Sequence, residues 1–161
     1  MYKKILVPLD GSALAEKVLP HVTALAKATG SEVTLITAVQ LTVGASGSKL
    51  EAIPEVAAEH KKALMAEALI YLEKVQRDLK TQGVTANVFT VEGDVASAII
   101  GFAEQRGFDL VAMATHGRTG LDRFVMGSIA EKVVRSTNRP VLLIRTLTTR
   151  QVDWREVVEK F

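Results

Sequence analysis

The sequence of 161 residues contains no cysteine, and this absence removes several kinds of chemistry at once. Disulfide bonds, thiolate metal sites and a cysteine nucleophile are all excluded. Histidine is also scarce: His21, His60 and His116 are scattered, and no two of them have the spacing that would place a pair of metal ligands on one helix. The sequence therefore predicts neither a disulfide framework nor a structural zinc site.

Long apolar runs and an excess of charge of one sign are missing as well. No stretch approaches the roughly 18 consecutive apolar residues of a membrane span. Twenty basic residues against 18 acidic ones give a net charge of +2, which is too balanced for a dedicated nucleic-acid-binding protein. The first apolar run is short and is stopped by Asp10, unlike a secretion signal. We expect a cytoplasmic protein that binds neither membrane nor nucleic acid.

Short apolar segments alternate with amphipathic stretches, and this pattern predicts an α/β fold. Hydrophobic residues make up 48% of the chain, enough for one buried core. The predicted strands cover residues 5–9, 32–39, 85–91, 109–115 and 140–145. Helices are predicted after Ser12, Pro54 and Asp94, and from Gly127 or Ser128. Parallel strands with helical crossovers form a doubly wound five-stranded sheet with helices on both faces.

The predicted domain covers residues 1–146, and residues 147–161 form a C-terminal tail that could include a short helix around Trp154. The longest predicted helix runs from Pro54 to about Gln82. Its apolar positions recur at helical spacing and should form a core stripe, which consists of Leu64, Met65, Ala68, Leu69, Leu72, Val75 and Leu79.

The segments that leave the first and fourth strands are the most informative part of the sequence. Ligands bind an open parallel sheet outside the carboxyl ends of its strands, where the strand order reverses. Glycines follow the fourth strand at Gly117 and, after nine residues, at Gly127, where Ser128 opens a helix. Glycine lets the backbone approach an anion, and a helix N-terminus supplies N–H groups with partial positive charge. These features predict a cradle for a di- or triphosphate.

Two other residues near this edge of the sheet are candidates for chemistry. Asp10 could cap the following helix, accept a hydrogen bond from a ribose hydroxyl, or help to hold Mg²⁺ against phosphates. His116 lies beside the glycines, but no serine or cysteine nucleophile with an orienting acid accompanies it. A bracing or packing role is therefore favoured for this histidine.

Several nucleotide-binding and catalytic motifs are absent from the sequence. It contains no P-loop GxxxxGK[ST], no GxGxxG after the first strand and no GxSxG nucleophile elbow. A response regulator would need an acid pair after the first strand, an aspartate ending the third and a lysine ending the fifth. The corresponding residues are Asp10-Gly11, Val91-Glu92 and Ile144-Arg145, which exclude that class.

Two segments of the sequence resemble the universal stress protein family. They are KKILVPLDGS at 3–12 and DLVAMATHGRTG at 109–120, the latter continued by GSIAE at 127–131 and PVLLI at 140–144. The likeness covers about residues 2–146. It implies an adenine nucleotide alpha hydrolase-like sheet with strand order 3-2-1-4-5, and a homodimer formed through the fifth strand, Val141–Ile144.

The same resemblance implies an adenine-nucleotide site. Family members that bind ATP carry the motif G-x2-G-x9-G-[ST], and this sequence keeps the frame with Ala114 at the first glycine position. The resemblance places Asp10 at the ribose or at a Mg²⁺ or Mn²⁺ ion, and the backbone of Ala38 at the adenine. Thr115 is a further neighbour of the glycines. The residues expected to bind the nucleotide are Pro8, Leu9, Asp10, Ala38, Ala114, His116, Gly117, Arg118, Gly127 and Ser128.

The expected function is a nucleotide-dependent sensor or switch in the stress response. A phosphate cradle without a positioned base or arginine finger should bind ATP and hydrolyse it slowly, if at all. The nucleotide would order the segments 41–50 and 118–126 and so change a surface seen by partners. Two alternatives stay open: a nucleotide-free dimeric interaction module, which Ala114 favours, and a slow ATPase or nucleotidyl-transfer enzyme.

Overall fold

Five parallel strands form the sheet in this computed structural model, which describes residues 1–40, 54–117 and 127–147. The strands are β1 (Lys4–Pro8), β2 (Glu32–Val39), β3 (Ala86–Glu92), β4 (Leu110–Gly117) and β5 (Val141–Leu147). Their order is β3-β2-β1-β4-β5, which confirms the predicted doubly wound α/β sheet. The segments 41–50 and 118–126 and the tail around Trp154 lie outside the described residues, so the predictions for them and the domain boundary at 146 stay predictions.

Within the described ranges, four α-helices connect or flank the strands. They are α1 (Leu19–Thr29), α2 (Pro54–Thr81), α3 (Val95–Gln105) and α4 (Ser128–Ser136). A separate 3₁₀ turn, Ala15–Val18, precedes α1, because Pro20 has no N–H and is tolerated only in the first turn of an α-helix. The Ser12 hydroxyl accepts a hydrogen bond from the Ala15 amide at 3.1 Å and so begins this turn, as its position in the sequence predicted.

The core lies in two layers, one on each face of the sheet. Alternate residues of a strand point to opposite faces, so Ile5 and Val7 of β1 pack with α1 and α2, whereas Leu6 packs with α3 and α4. The first layer also includes Val22, Leu35, Leu72 and Leu79, and the second includes Ile36, Ile99, Met113 and Val133. Helices therefore cover both faces, and the strand ends are left as the accessible edges.

The strand order reverses between β1 and β4, and this reversal positions the site. β1 pairs with β2 on one side and β4 on the other, so the segments leaving β1 and β4 diverge at the carboxyl edge of the sheet. At the opposite edge the Asp109 carboxylate accepts hydrogen bonds from the Lys3 and Lys4 amides, both at 2.9 Å. These bonds hold the pKa of Asp109 below its usual value. In the described part of the chain, no helix has the length and apolar character to cross a lipid bilayer.

Candidate functional site

A cavity of about 280 Å³ lies at the carboxyl edge of the sheet, between the diverging ends of β1 and β4. Its volume is at the lower end of the range of small-molecule pockets, about 300–1,000 Å³. Most of its lining is apolar, and Asp10 is the only charged side chain among the described lining residues. The apolar members of the lining include Leu9, Leu14, Ile36, Val95, Ile99, Met113 and Ile129.

The structure brings together seven of the ten residues predicted to bind the nucleotide. These seven line the cavity and are Pro8, Leu9, Asp10, Ala38, Ala114, Gly127 and Ser128. His116 and Gly117 are the last two residues of β4, where they pair with Thr146 and Leu147 of β5. Arg118 lies outside the described residues. The binding roles of all ten residues stay predictions.

The turn after β1 is held by the side chain of Asp10. Its Oδ1 accepts a hydrogen bond from the Ser12 amide at 2.9 Å, and Gly11 between them has a φ of 81°, a conformation that favours glycine. Asp10 thus orders the turn, and Ser12 rather than Asp10 contacts the first amide of the 3₁₀ turn. Within the described ranges, Oδ2 of Asp10 has no hydrogen-bond partner, and the residue is exposed beside the cavity. This oxygen can accept a hydrogen bond from a hydroxyl group or bind a cation.

Helix α2 contacts the 3₁₀ turn that follows Ser12 through Tyr71, and the sequence analysis missed this contact. The Tyr71 hydroxyl donates a hydrogen bond to Oε1 of Glu16 in the 3₁₀ turn at 3.0 Å. Burial raises the pKa of Tyr71, and the Glu16 carboxylate raises it further. Tyr71 follows Ala68 by three residues and precedes Val75 by four, so helical periodicity could have placed it on the inward side, but the predicted core stripe did not include it. Periodicity does not identify a polar partner 55 residues away.

Helix α4 begins at the wall of the cavity, close to the end of β4. The Gly127 amide donates a hydrogen bond to Oγ1 of Thr115 at 3.1 Å, and the Gly127 carbonyl accepts from the Glu131 amide at 2.9 Å. The first four amides of a helix have no acceptor within the helix. In α4 the amide of Gly127 is used by Thr115, and the other three belong to Ser128, Ile129 and Ala130, which all line the cavity.

Helix α3 also begins near the cavity, but its N-terminus has a carboxylate of its own. Asp94 Oδ1 accepts from the Ser97 amide at 3.0 Å, as an N-cap does, and from the Lys132 ammonium at 2.6 Å. The Lys132 and Ser97 donors hold the pKa of Asp94 well below its usual value. The N-cap residue of α4, Gly127, has no side chain. Of the two helices, α4 is therefore the one that can offer its N-terminus to an external anion.

Comparison with known proteins places this fold in a family. The profile of the Universal stress protein family matches residues 1–145. The chain belongs to this family. Universal stress protein MJ0577 of Methanocaldococcus jannaschii is 32% identical over 156 residues, which cover 90% of this chain and 96% of that protein. Universal stress protein MJ0531 of the same organism is 35% identical over 145 residues, covering 90% and 83%.

Solved structures of universal stress proteins share the architecture. The structure of MJ0577 superimposes with a TM-score of 0.76 and 32% identity, covering 92% of this chain and 99% of that one. A universal stress protein solved in complex with cAMP matches with a TM-score of 0.64 and 19% identity over 91% and 98% of the two chains. The Archaeoglobus fulgidus protein in complex with dAMP matches with a TM-score of 0.55 and 21% identity over 89% and 98%. At these two lower identities the likeness shows the fold alone.

Ala114 stands at the first glycine position of the universal stress protein motif, and its local structure accommodates a side chain. It lies within β4, where it pairs with Ile144 of β5. An extended strand does not require glycine, so the alanine introduces no backbone strain. The residue packs against the core layer on the α1 and α2 side and contributes to the cavity wall.

Proposed function

We propose that this universal stress protein binds an adenine nucleotide, with ATP as the principal ligand, and acts as a nucleotide-dependent sensor or switch in the cytoplasm. One observation carries the proposal: a single apolar cavity adjoins both the Asp10 carboxylate and the first-turn amides of α4. A base, a sugar and a phosphate chain need these three environments side by side. Related proteins of the same fold have been solved with cAMP and with dAMP.

The end of β2 can recognise the edge of the base through its backbone. The Ile36 carbonyl accepts a hydrogen bond from the Leu9 amide at 2.9 Å and therefore points toward β1. Backbone groups two residues apart in a strand point the same way, so those of Ala38 also point toward β1. β1 has already ended there, because its last residue, Pro8, pairs with Ile36. The backbone of Ala38 is thus directed at the crevice, and a base is held against apolar walls.

Sugar and phosphates fit the polar side of the cavity. Asp10 Oδ2 can accept a hydrogen bond from a ribose hydroxyl. Alternatively, it can bind Mg²⁺ or Mn²⁺ together with phosphate oxygens, since both ions prefer oxygen ligands such as a carboxylate. Within the described ranges no three His, Asp or Glu side chains form a metal cluster, so a cation here would take its remaining ligands from phosphate and water. The described lining offers no lysine, arginine or histidine next to the phosphate position. We therefore infer binding with slow hydrolysis at most.

ATP with Mg²⁺ should raise the melting temperature of the purified protein. At a hundredfold excess over Kd, binding stabilises the folded state by about 2.7 kcal/mol, which corresponds to roughly 5–10 °C for a chain of this size. Ala38→Leu should abolish the shift, because the larger side chain fills the space of the base. Ala28→Leu is the matched control, an exposed position near the end of α1 that does not line the cavity, and it should keep the shift.

One outcome of the melting experiment would overturn the proposal. An unchanged melting temperature at millimolar ATP would favour a nucleotide-free interaction module instead.

The metal contribution is tested by Asp10→Asn, which keeps an acceptor for the Ser12 amide but removes the charge. This variant should lose the dependence of ATP affinity on Mg²⁺. An equal loss with and without Mg²⁺ would assign Asp10 to the ribose alone.

We also propose that the protein is a homodimer formed through β5. β5 is the last strand of the sheet, and its residues Val141 to Ile144 are an unbroken apolar run, each half-buried. The Pro140 carbonyl accepts from the Val111 amide of β4, so Leu142 and Ile144 direct their backbone groups inward and Leu143 directs its own outward. An outward row of N–H and C=O groups is a template for pairing with a second strand.

Light scattering should therefore give twice the chain mass of 17.4 kDa. Leu143→Pro removes an outward N–H without removing a bond to β4, and it should give a monomer. Leu143→Ala loses the same side chain but keeps the N–H, and it should remain dimeric. A wild-type monomer, or equal masses for the two variants, would rule out pairing through this strand.

A further inference from the structure

We propose that Thr115 is a positioning residue that orients the N-terminus of α4 for phosphate, an inference that rests on the proposed nucleotide site. Thr115 is buried, with 6% of its surface exposed, and lies in β4 on the cavity wall. Its hydroxyl oxygen accepts the hydrogen bond from the Gly127 amide at 3.1 Å, across 12 residues of sequence. The bond joins the end of the strand directly to the start of the helix.

The identity of the side chain indicates that the hydroxyl serves hydrogen bonding, of which the bond to Gly127 is one instance. A buried β-strand position in the wall of a mostly apolar cavity would accept valine, which has the same shape as threonine. Burying a hydroxyl costs free energy unless it is hydrogen-bonded. Packing therefore does not account for threonine, whereas hydrogen bonding does, and the Gly127 amide is one of its partners.

The bond selects which amides of α4 are left for a ligand. Gly127 is the N-cap residue, and its amide is the first of the four that the helix cannot satisfy. Because Thr115 accepts from this amide, the direction of the peptide group that enters α4 is fixed relative to the sheet. The next three amides belong to Ser128, Ile129 and Ala130, which line the cavity. Fixing the start of the helix presets these donors, which lowers the ordering cost of binding an anion.

The approach of strand and helix at Gly127 leaves room for a methyl group. A Cβ atom at this position would lie 3.5 Å from Thr115 Oγ1, in van der Waals contact with the acceptor atom itself. The two residues thus act as a pair, with the hydroxyl of one binding the amide of the other. No charged group takes part, so this positioning should be insensitive to salt.

Titration calorimetry with ATP and with adenosine separates positioning from a general structural role. Thr115→Val keeps the shape and removes the acceptor, and it should weaken ATP binding at least tenfold while changing adenosine affinity less than threefold. Thr115→Ser restores the hydroxyl and should bring ATP affinity back to within threefold of wild type. If Thr115→Val does not fold, Thr115→Ala, which also lacks the hydroxyl, should give the same difference between the two ligands.

Each outcome decides the question. Equal losses for ATP and adenosine would mean that Thr115 only shapes the cavity, and an unchanged ATP affinity would mean that the bond to Gly127 has no role in binding. Both results overturn the positioning role and leave the proposed nucleotide site intact. Failure of the wild-type protein to bind either ligand would instead overturn the proposed function, and with it the role of Thr115.

Discussion

Gly127→Ala will weaken ATP binding at least tenfold and leave the stability of the unliganded protein almost unchanged. The φ of Gly127 is −56°, which any residue adopts, and a Cβ there would make only an ordinary contact with Thr115. Alanine is a poorer N-cap than glycine by up to about 1 kcal/mol. It also restricts the unfolded chain, which stabilises the fold by about 0.4–1 kcal/mol. These two effects nearly cancel, whereas the new methyl group occupies space beside the amides that would bind phosphate.

Calorimetry for affinity and urea denaturation for stability test this expectation together. Gly101→Ala is the matched control, because Gly101 lies inside α3 and its nearest neighbour to an added Cβ is 4.0 Å away. That change should stabilise the helix by roughly 0.5–1 kcal/mol and leave ATP affinity unaltered. Normal ATP binding by Gly127→Ala would show that the ligand does not require the glycine. A loss of more than about 2 kcal/mol of stability would show that the fold requires it.

Ile36→Ala will lower the free energy of unfolding by about 2–5 kcal/mol, more than any other substitution proposed here. Ile36 is fully buried in β2, one strand in from the edge of the sheet, and packs in the layer that contains Leu6, Ile99 and Met113. Deleting three of its carbons removes buried apolar contacts and leaves a void in a close-packed core. Because domains of this kind are stable by only about 5–15 kcal/mol, this loss is a substantial fraction of the total stability.

Denaturant unfolding without nucleotide measures this loss. Ile36→Val provides a graded control, since it removes one methyl group and should cost about 0.5–1.5 kcal/mol. Ile36 also lines the cavity, so the alanine variant should bind ATP less tightly as well. A loss of less than about 1 kcal/mol for Ile36→Ala would contradict the close packing beneath the cavity.

The sheet could be predicted from the sequence because most strands are nearly continuous apolar runs that end at a turn signal, whereas the third strand alternates polar and apolar residues. Asp10-Gly11 ends the first strand, and Gly93-Asp94 follows the third; the structure puts turns at both. Burial on both faces removes the alternation of polar and apolar residues, so such runs identify strands of a parallel sheet. The strand order followed from the family resemblance and from the rule for crossovers.

The long helix shows where periodicity fails. Leu69 was predicted in the core stripe of α2, and this was wrong, because it is 37% exposed. Only Leu72, Val75 and Leu79, in the second half, are buried. Leu69 lies in the same half of the helix, three residues before Leu72, so its exposure shows that the buried stripe is narrower than predicted. Periodicity identifies which side of a helix faces inward but not how much of that side meets another element.

The candidate site divides in the same way. Asp10, Gly127 and Ser128 could be predicted because strand ends and helix starts converge at a switch point. The bond between Thr115 and Gly127 could not, since it depends on the separation of two backbone segments to within an ångström. The contact of Tyr71 with Glu16 required the placement of α2 on the sheet, which no local pattern specifies.

The cavity at the strand ends is bounded by residues of both core layers. Leu9 and Ala114 belong to the layer on the α1 and α2 side, whereas Ile36 and Met113 belong to the layer on the α3 and α4 side. A molecule bound in this cavity would contact both core layers of the domain. Its binding free energy then adds to the free energy of unfolding of the whole domain. The stability of the domain therefore increases with the fraction of molecules that have the cavity occupied.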